Sequence, residues 1–123
     1  MEYNLGILIS GNGSNMLNII EATKKKIIKS KVATVVSNNP MASGIKRASE
    51  KGVDVKIINQ NQFSNIFDFE NSLSKYLLKK RVDLICLAGF MKVLSKNFVK
   101  KWNNRIINIH PSLLPAFKGL NTH

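Results

Sequence analysis

Short apolar runs alternate with amphipathic segments along the chain, and this alternation constrains the fold more than any other feature of the sequence. The runs are rich in Ile, Leu and Val, which is typical of strands buried on both faces of a sheet. The segments between them repeat apolar residues at helical spacing. Strands that alternate with helices join into a parallel sheet through right-handed crossovers. The predicted strands are Leu5–Ser10, Val32–Ser37, Val53–Ile58, Leu84–Ala88 and Arg105–Ile109.

Helices are predicted in each interval between these strands. The third of them has Ser64 as its candidate N-cap. Residues 1–123 are therefore predicted to form a single α/β domain, with an open, doubly wound, mostly parallel sheet of about five strands. The predicted helices cover, to within a few residues, Met16–Ile28, Ala42–Lys51, Phe63–Leu77 and Ser95–Trp102.

The composition of the chain limits the kinds of molecule that it is expected to bind. The formal net charge of +12 favours anionic ligands. The lysines are scattered and no aromatic residues are interleaved with them, so a nucleic-acid partner is not expected. No apolar run is long enough to span a bilayer, so a membrane partner is not expected either. Cys86 is the one cysteine and lies in an apolar run, which predicts a buried, reduced thiol and a cytoplasmic location.

Polar and glycine-bearing turns follow four of the predicted strands. Because the strands are parallel, these turns share one edge of the sheet, where ligands bind at the point at which strand order reverses. If the first strand lies beside the fourth, the first and last turns face one crevice. The turns are Ser10–Asn15, Ser37–Pro40, Gly89–Lys92 and Asn108–Pro111.

The first turn has the features of a phosphate site. Gly11 and Gly13 permit positive φ and a close approach of backbone to ligand. Ser14 and Asn15 stand where a helix begins, so backbone amides and the positive end of the helix dipole are available to an anion. The alternative is a turn that needs glycine only for its geometry. Met16 replaces the third glycine of a dinucleotide fingerprint, so a monophosphate fits better than NAD.

Asn108 and His110 end the fifth strand at a spacing of two residues. Side chains at that spacing point to the same face of a strand. Pro111 stops the strand immediately afterwards. An amide and an imidazole held side by side form a plausible pair for activating a carbonyl group. The alternative is a capped strand end with a surface histidine.

Three segments together resemble the signatures of the glycinamide ribonucleotide formyltransferase family. They are Ile9–Asn15, Leu87–Met91 and Asn108–Pro115, in the family's order and at about its spacing. The third segment is shared by the wider group of folate-dependent formyltransferases and hydrolases, whereas the first points to the purine-pathway enzyme. The resemblance covers the whole chain as the N-terminal portion of a family member. It implies a Rossmann-like formyltransferase fold whose C-terminal part is missing here.

The resemblance also implies an activity and a set of roles. The activity is transfer of a formyl group from 10-formyltetrahydrofolate to the amine of glycinamide ribonucleotide, in de novo purine (IMP) biosynthesis and without a metal. Asn108 and His110 would be catalytic. The phosphate would be held by Gly13, Ser14 and Asn15, and the folate by Met91, Lys92, Val93, Leu94 and Asn108.

Among the departures of this chain from the family, one bears directly on the catalytic histidine. The family's catalytic histidine is polarised by an aspartate in a later loop, and the sequence ends at His123 before that loop. We therefore expect the 123-residue chain alone to be impaired in formyl transfer. Two alternatives stay open: a non-catalytic phosphate- or nucleotide-binding remnant, and another folate-dependent formyltransferase or deformylase. An unpaired fifth strand would also leave an edge that favours homodimerisation.

Overall fold

The structure, a computed structural model, describes residues 2–110 and contains one parallel sheet. The strand order is β3-β2-β1-β4-β5, and every neighbouring pair is parallel. This arrangement confirms the predicted α/β fold and places the first strand beside the fourth. The strands are β1 (Asn4–Ile9), β2 (Lys31–Ser37), β3 (Val55–Ile57), β4 (Leu84–Leu87) and β5 (Ile106–Asn108).

The helices pack in pairs on opposite faces of the sheet. The strand order runs outward in both directions from β1 and β4, and right-handed crossovers in opposite directions place their helices on opposite faces. The first two helices contribute to one apolar cluster and the last two to another. A 3-10 turn, Gln60–Gln62, precedes the third helix. The helices are α1 (Ser14–Lys24), α2 (Gly44–Glu50), α3 (Ile66–Lys79) and α4 (Lys96–Lys101).

The central strand explains why the predicted strands read as continuous apolar runs. Ile7, Leu8 and Ile9 of β1 are all fully buried. Ile7 and Ile9 join the cluster beneath α1 and α2, whereas Leu8 joins the cluster beneath α3 and α4. Alternation along a strand thus supplies both faces of the sheet with apolar side chains.

Two helix boundaries differ from the sequence prediction. Helix α1 ends at Lys24, because the backbone of Lys26 turns into the left-handed region at φ 59° and stops the helical ladder. The N-cap of α3 is Asn65, not Ser64: its side-chain oxygen accepts a hydrogen bond from the Asp68 N–H at 2.9 Å. Both Ser and Asn favour this position, so the sequence alone does not select between neighbours.

The outer edge of β5 is unpaired within residues 2–110. Its inner edge pairs with β4, where Asn108 lies opposite Leu87. The part of the third signature that begins at Pro111 lies outside the described residues. None of the helices in the described range is long and apolar enough to cross a membrane.

Candidate active site

The turn between β1 and α1 requires glycine at residue 13. Gly13 is the N-cap of α1 and has φ 74°, a conformation that costs other residues about 1 kcal/mol or more. A methyl group at this residue would also lie 2.7 Å from the Met16 Cε atom and 3.2 Å from the Gly44 Cα atom. Gly13 therefore lets the backbone turn tightly against the start of α2.

Gly44, the first residue of α2, contacts this turn and helps to hold it, although it was not predicted as a site residue. Its N–H donates to the Gly11 carbonyl at 3.0 Å. A methyl group at Gly44 would meet the Ile9 Cδ1 atom at 2.7 Å and the Gly11 oxygen at 2.9 Å. Its φ is not positive, so contact alone requires glycine here, and no local pattern in the sequence signals that contact.

The first turn of α1 presents backbone amides with few partners. The Ser14 N–H donates to the Asn12 side-chain oxygen at 2.9 Å. The N–H groups of Asn15 and Met16 donate to no atom of residues 2–110. The first turn also contains no acidic side chain, so the positive end of the helix dipole is not offset locally. An anion here would gain two unpaired amides and would compete with Asn12 for a third.

A groove joins this turn to the end of β4. The groove has a volume of about 250 Å³ and lies where the strand order reverses, the usual place for ligands in an open α/β sheet. A groove between the first and fourth strands was predicted and is present, but neither Asn108 nor His110, which were expected to face it, is among the residues that line it. Its lining residues are Ser10, Gly11, Asn12, Gly13, Ser14, Asn15, Ala88, Gly89 and Met91.

The residues after β4 divide into exposed and packed side chains. Met91 and Val93 are 82% and 87% exposed, which is unusual for large apolar residues. Leu94 packs against the cluster beneath α3 and α4. The ammonium group of Lys92 lies 5.5 Å from the centre of the Phe69 ring, which is within cation–π range. The segment thus turns two apolar side chains outward beside the groove.

Asn108 and His110 lie at the same edge of the sheet as the glycine turn. The pairing of β5 with β4 extends to Ile109, whose N–H donates to the Leu87 carbonyl at 2.9 Å. Both Asn108 and His110 are exposed. One strand, β4, separates β5 from β1, so the two strand ends lie about 10 Å apart at the usual spacing between strands. A small substrate is long enough to reach both.

Two more polar residues form hydrogen bonds with the segment after β4, and they were not predicted as site residues. Ser10 accepts a hydrogen bond from the Met91 N–H at 2.8 Å. Glu70, which is 4% exposed, accepts from the Ser95 N–H at 2.7 Å. A carboxylate on the buried face of α3 is the one signal in the sequence that could have identified Glu70, because a buried charge needs partners. Within residues 2–110 no group of three or more His, Cys, Asp and Glu side chains could hold a metal ion.

Comparison with known proteins shows the family to which the chain is similar. Residues 3–123 match the Formyl transferase family model. The chain is 43% identical to the trifunctional purine biosynthetic protein adenosine-3 of Gallus gallus, over 99% of the chain and 12% of that protein. It is 40% identical to the phosphoribosylglycinamide formyltransferase of Haemophilus influenzae, over 97% of the chain and 56% of that enzyme.

A solved structure agrees with these sequence matches. The phosphoribosylglycinamide formyltransferase of Coxiella burnetii superposes with a TM-score of 0.85 at 43% identity, over all of this chain and 58% of that one. The chain thus spans little more than half the length of the single-function enzymes that it matches. On the family match, the sequence identity and the shared fold, the chain belongs to the formyl transferase family.

Proposed function

We propose that the natural polypeptide carrying this sequence transfers a formyl group from 10-formyltetrahydrofolate to the amine of glycinamide ribonucleotide, in de novo purine biosynthesis. The observation that carries the proposal is the shared edge: the glycine turn, the exposed segment after β4 and the Asn108–His110 pair all follow neighbouring strands. Relatives of this chain bear the name phosphoribosylglycinamide formyltransferase. A small anionic acceptor and a bulky, partly apolar donor suit such an edge.

The acceptor's phosphate would bind at the start of α1. Gly13, Ser14 and Asn15 would hold it through their backbone N–H groups, and the dipole of α1 would favour its charge. The Asn12 side chain, which now accepts from the Ser14 N–H, would give way to a phosphate oxygen. The phosphate anchored in this way would place the substrate's primary amine toward β5.

The donor would bind along residues 91–94. Main-chain groups of Met91, Lys92, Val93 and Leu94 would bind the pterin ring, and Asn108 would contact the formyl-bearing end. The outward Met91 and Val93 side chains would lose water against an aromatic ligand, which favours binding. The substrates are both small molecules, and the reaction needs neither a metal nor a nucleic-acid or membrane partner.

The chemistry is an acyl transfer through a tetrahedral intermediate. The amine nitrogen attacks the formyl carbon, and the carbonyl oxygen becomes an oxyanion. The Asn108 amide donates a hydrogen bond to that oxygen, and a protonated His110 stabilises it or relays a proton toward the folate nitrogen. The bond between that nitrogen and the formyl carbon then breaks. The products are formylglycinamide ribonucleotide and tetrahydrofolate, and the amine proton ends on the leaving nitrogen.

Formyl transfer by the natural polypeptide tests the proposal. We expect Asn108→Ala to lower kcat by about 100- to 1,000-fold, because an oxyanion donor is lost, and His110→Ala by about 100-fold or more. Asn103→Ala is a matched control, since Asn103 is exposed and lies before β5. The same assay on the 123-residue chain tests the expectation that this chain alone is impaired.

The open alternatives predict other results. A non-catalytic phosphate-binding remnant would bind glycinamide ribonucleotide but show no formyl transfer, and His110→Ala would leave its affinity unchanged. A different folate-dependent formyltransferase or deformylase would consume 10-formyltetrahydrofolate without formylating this acceptor. Either result would contradict the proposed function.

A further inference from the structure

Residues 89–95, hereafter the 89–95 loop, are tied to the rest of the molecule by two side chains from distant elements. The first is Ser10, at the end of β1. Its hydroxyl accepts from the Met91 N–H at 2.8 Å and donates to the Asn38 side-chain oxygen at 2.6 Å. Asn38 is buried, and its side-chain NH2 donates to the Gln60 side chain at 3.0 Å. The hydroxyl proton is thereby committed to Asn38, which leaves a lone pair of the Ser10 oxygen aimed at Met91.

The second anchor is Glu70 on α3. Its two carboxylate oxygens accept from the N–H of Ser95 at 2.7 Å and from the Ser95 hydroxyl at 2.5 Å. The Ser95 hydroxyl also caps α4 by accepting from the Phe98 N–H at 3.2 Å. Glu70 is 4% exposed, so its charge depends on these bonds, and charge-assisted hydrogen bonds of this kind are strong. The far end of the loop is thus fixed to the side of the sheet that α3 covers.

Between the two anchors the backbone of the loop makes few other hydrogen bonds, although the Phe90 and Leu94 side chains pack against the cluster beneath α3 and α4. No backbone N–H of residues 89–94 except that of Met91 donates to an atom of residues 2–110. Gly89 has φ 72°, a turn that precedes the first anchor. The two most outward side chains, Met91 and Val93, stand between the anchors. The side-chain hydrogen bonds that hold the backbone of this loop therefore come from Ser10 and Glu70.

We propose that Ser10 and Glu70 are positioning residues for the formyl donor, holding the two ends of the 89–95 loop so that its backbone groups face the folate. This inference rests on the proposed function, because it assumes that the loop binds a folate. Neither side chain needs to touch a reacting atom. Their effect is to keep the loop ordered before the donor arrives, which lowers the entropy lost on binding.

The geometry allows a change in binding of the formyl donor to be distinguished from a change in binding of the acceptor. The glycine turn has supports that do not involve the Ser10 hydroxyl: the Gly44 N–H holds the Gly11 carbonyl, and the Asn39 side chain donates to the Ser10 carbonyl at 3.2 Å. Both bonds survive the change Ser10→Ala. Losing the hydroxyl therefore releases Met91 and removes the donor to the Asn38 side-chain oxygen, while these two bonds still hold the phosphate turn.

Ser10→Ala and Glu70→Ala test the two anchors. Glu70→Gln is the conservative variant, and two substitutions on α2 are distant controls. Ser10→Ala removes the acceptor for the Met91 N–H. Glu70→Ala removes both acceptors for Ser95, whereas Glu70→Gln retains one oxygen for the Ser95 N–H and offers an NH2 group to its hydroxyl. Ser49→Ala and Glu50→Ala are matched controls, since both residues are exposed near the end of α2 and no side-chain hydrogen bond involves them within residues 2–110.

The experiment measures two affinities and one rate on the natural polypeptide. Calorimetry gives the Kd for the stable 5-formyltetrahydrofolate and the Kd for glycinamide ribonucleotide, and a transfer assay gives KM for each substrate. We expect Ser10→Ala and Glu70→Ala each to raise the folate Kd and the donor KM about tenfold, because a loop released from one anchor must be ordered when the folate binds. The acceptor values should change less than twofold, and Glu70→Gln should resemble the unsubstituted protein.

Each outcome decides the inference. A rise confined to the donor supports it, and equal changes for both substrates or no change overturn it. If Glu70→Ala does not fold, Ser10→Ala decides alone, because Glu70→Gln is expected to be unchanged. Binding of folate without turnover would refute the proposed function. The folate Kd values of the variants would still show whether the anchors contribute to folate binding. A polypeptide that binds no folate would overturn the inference outright.

Discussion

The backbone N–H of Gly44 donates to the carbonyl of Gly11 across 3.0 Å, and a methyl group at residue 44 would lie 2.9 Å from that same oxygen. The start of α2 is thus pressed against the turn that leads into α1. Atoms at 2.9 Å are closer than a carbon and an oxygen normally approach without a hydrogen bond. The glycine turn consequently depends on a residue that lies outside it in the sequence and does not line the groove.

Gly44→Ala should destabilise the protein and weaken binding of the acceptor. Overpacking of this kind costs about 1–3 kcal/mol, and the nearest atoms include the backbone at Gly11 as well as the Ile9 side chain. Thermal unfolding, followed by the fluorescence of Trp102, the one tryptophan, measures the first effect. Calorimetry with glycinamide ribonucleotide measures the second.

Gly11→Ala is the control for stability in that experiment. A methyl group at Gly11 would meet no atom within 4 Å, and its φ is not positive. Its unfolding temperature should therefore stay close to that of the unsubstituted protein. An unchanged unfolding temperature and acceptor affinity in Gly44→Ala would show that the turn shifts freely to admit the methyl group.

Ser74→Ala should lower the free energy of unfolding by about 1–3 kcal/mol, because it leaves a buried donor without its acceptor. The Trp102 Nε1–H donates to the Ser74 hydroxyl at 2.9 Å, and both side chains are 1% exposed. Denaturant unfolding measured by circular dichroism checks the loss. Ser49→Ala on the exposed surface of α2 should stay within about 0.5 kcal/mol of the unsubstituted protein. A loss no larger than that control would mean that the indole N–H finds another partner.

Local pattern was enough to predict the sheet and one of its turns. The run that contains Ile7, Leu8 and Ile9 predicts a doubly buried strand, because both faces of a parallel sheet are covered. Gly13 was predicted to permit a positive φ just before a helix that begins at Ser14, and its φ of 74° and the start of α1 at Ser14 agree with that prediction. These features depend on neighbouring residues, which a sequence displays directly.

The supports of the candidate site could not be predicted in the same way. Ser10 and Met91 are 81 residues apart, and they meet only because β1 lies beside β4 in the sheet. Glu70 and Ser95 lie in the connections before and after β4, and they meet because α3 and α4 pack on the same face of the sheet. Gly44 needs no special backbone conformation, so nothing in its local sequence distinguishes it. Each of these contacts follows from strand order and register, which the chain specifies globally.

Cys86 should make the protein lose stability above about pH 9. Its thiol is 2% exposed between β1 and β5, and burial raises its pKa from an ordinary value of 9.0 to about 12. Between these values the unfolded chain releases the thiol proton and the native protein keeps it. The unfolded state then binds fewer protons, so the free energy of unfolding falls as pH rises, by at most about 1.4 kcal/mol per pH unit.

The contribution of Cys86 is separated from that of the lysines and tyrosines by comparison with Cys86→Ala. Both proteins share every other titrating group, so the difference between their free energies of unfolding isolates the thiol. Urea unfolding under a reducing agent, at intervals from pH 7 to pH 11, gives that difference. It should be constant below about pH 8 and then shift in favour of Cys86→Ala, since only the unsubstituted chain loses a proton on unfolding. A constant difference across the whole range would mean that the native thiol ionises as readily as the unfolded one, and so is not enclosed by the sheet.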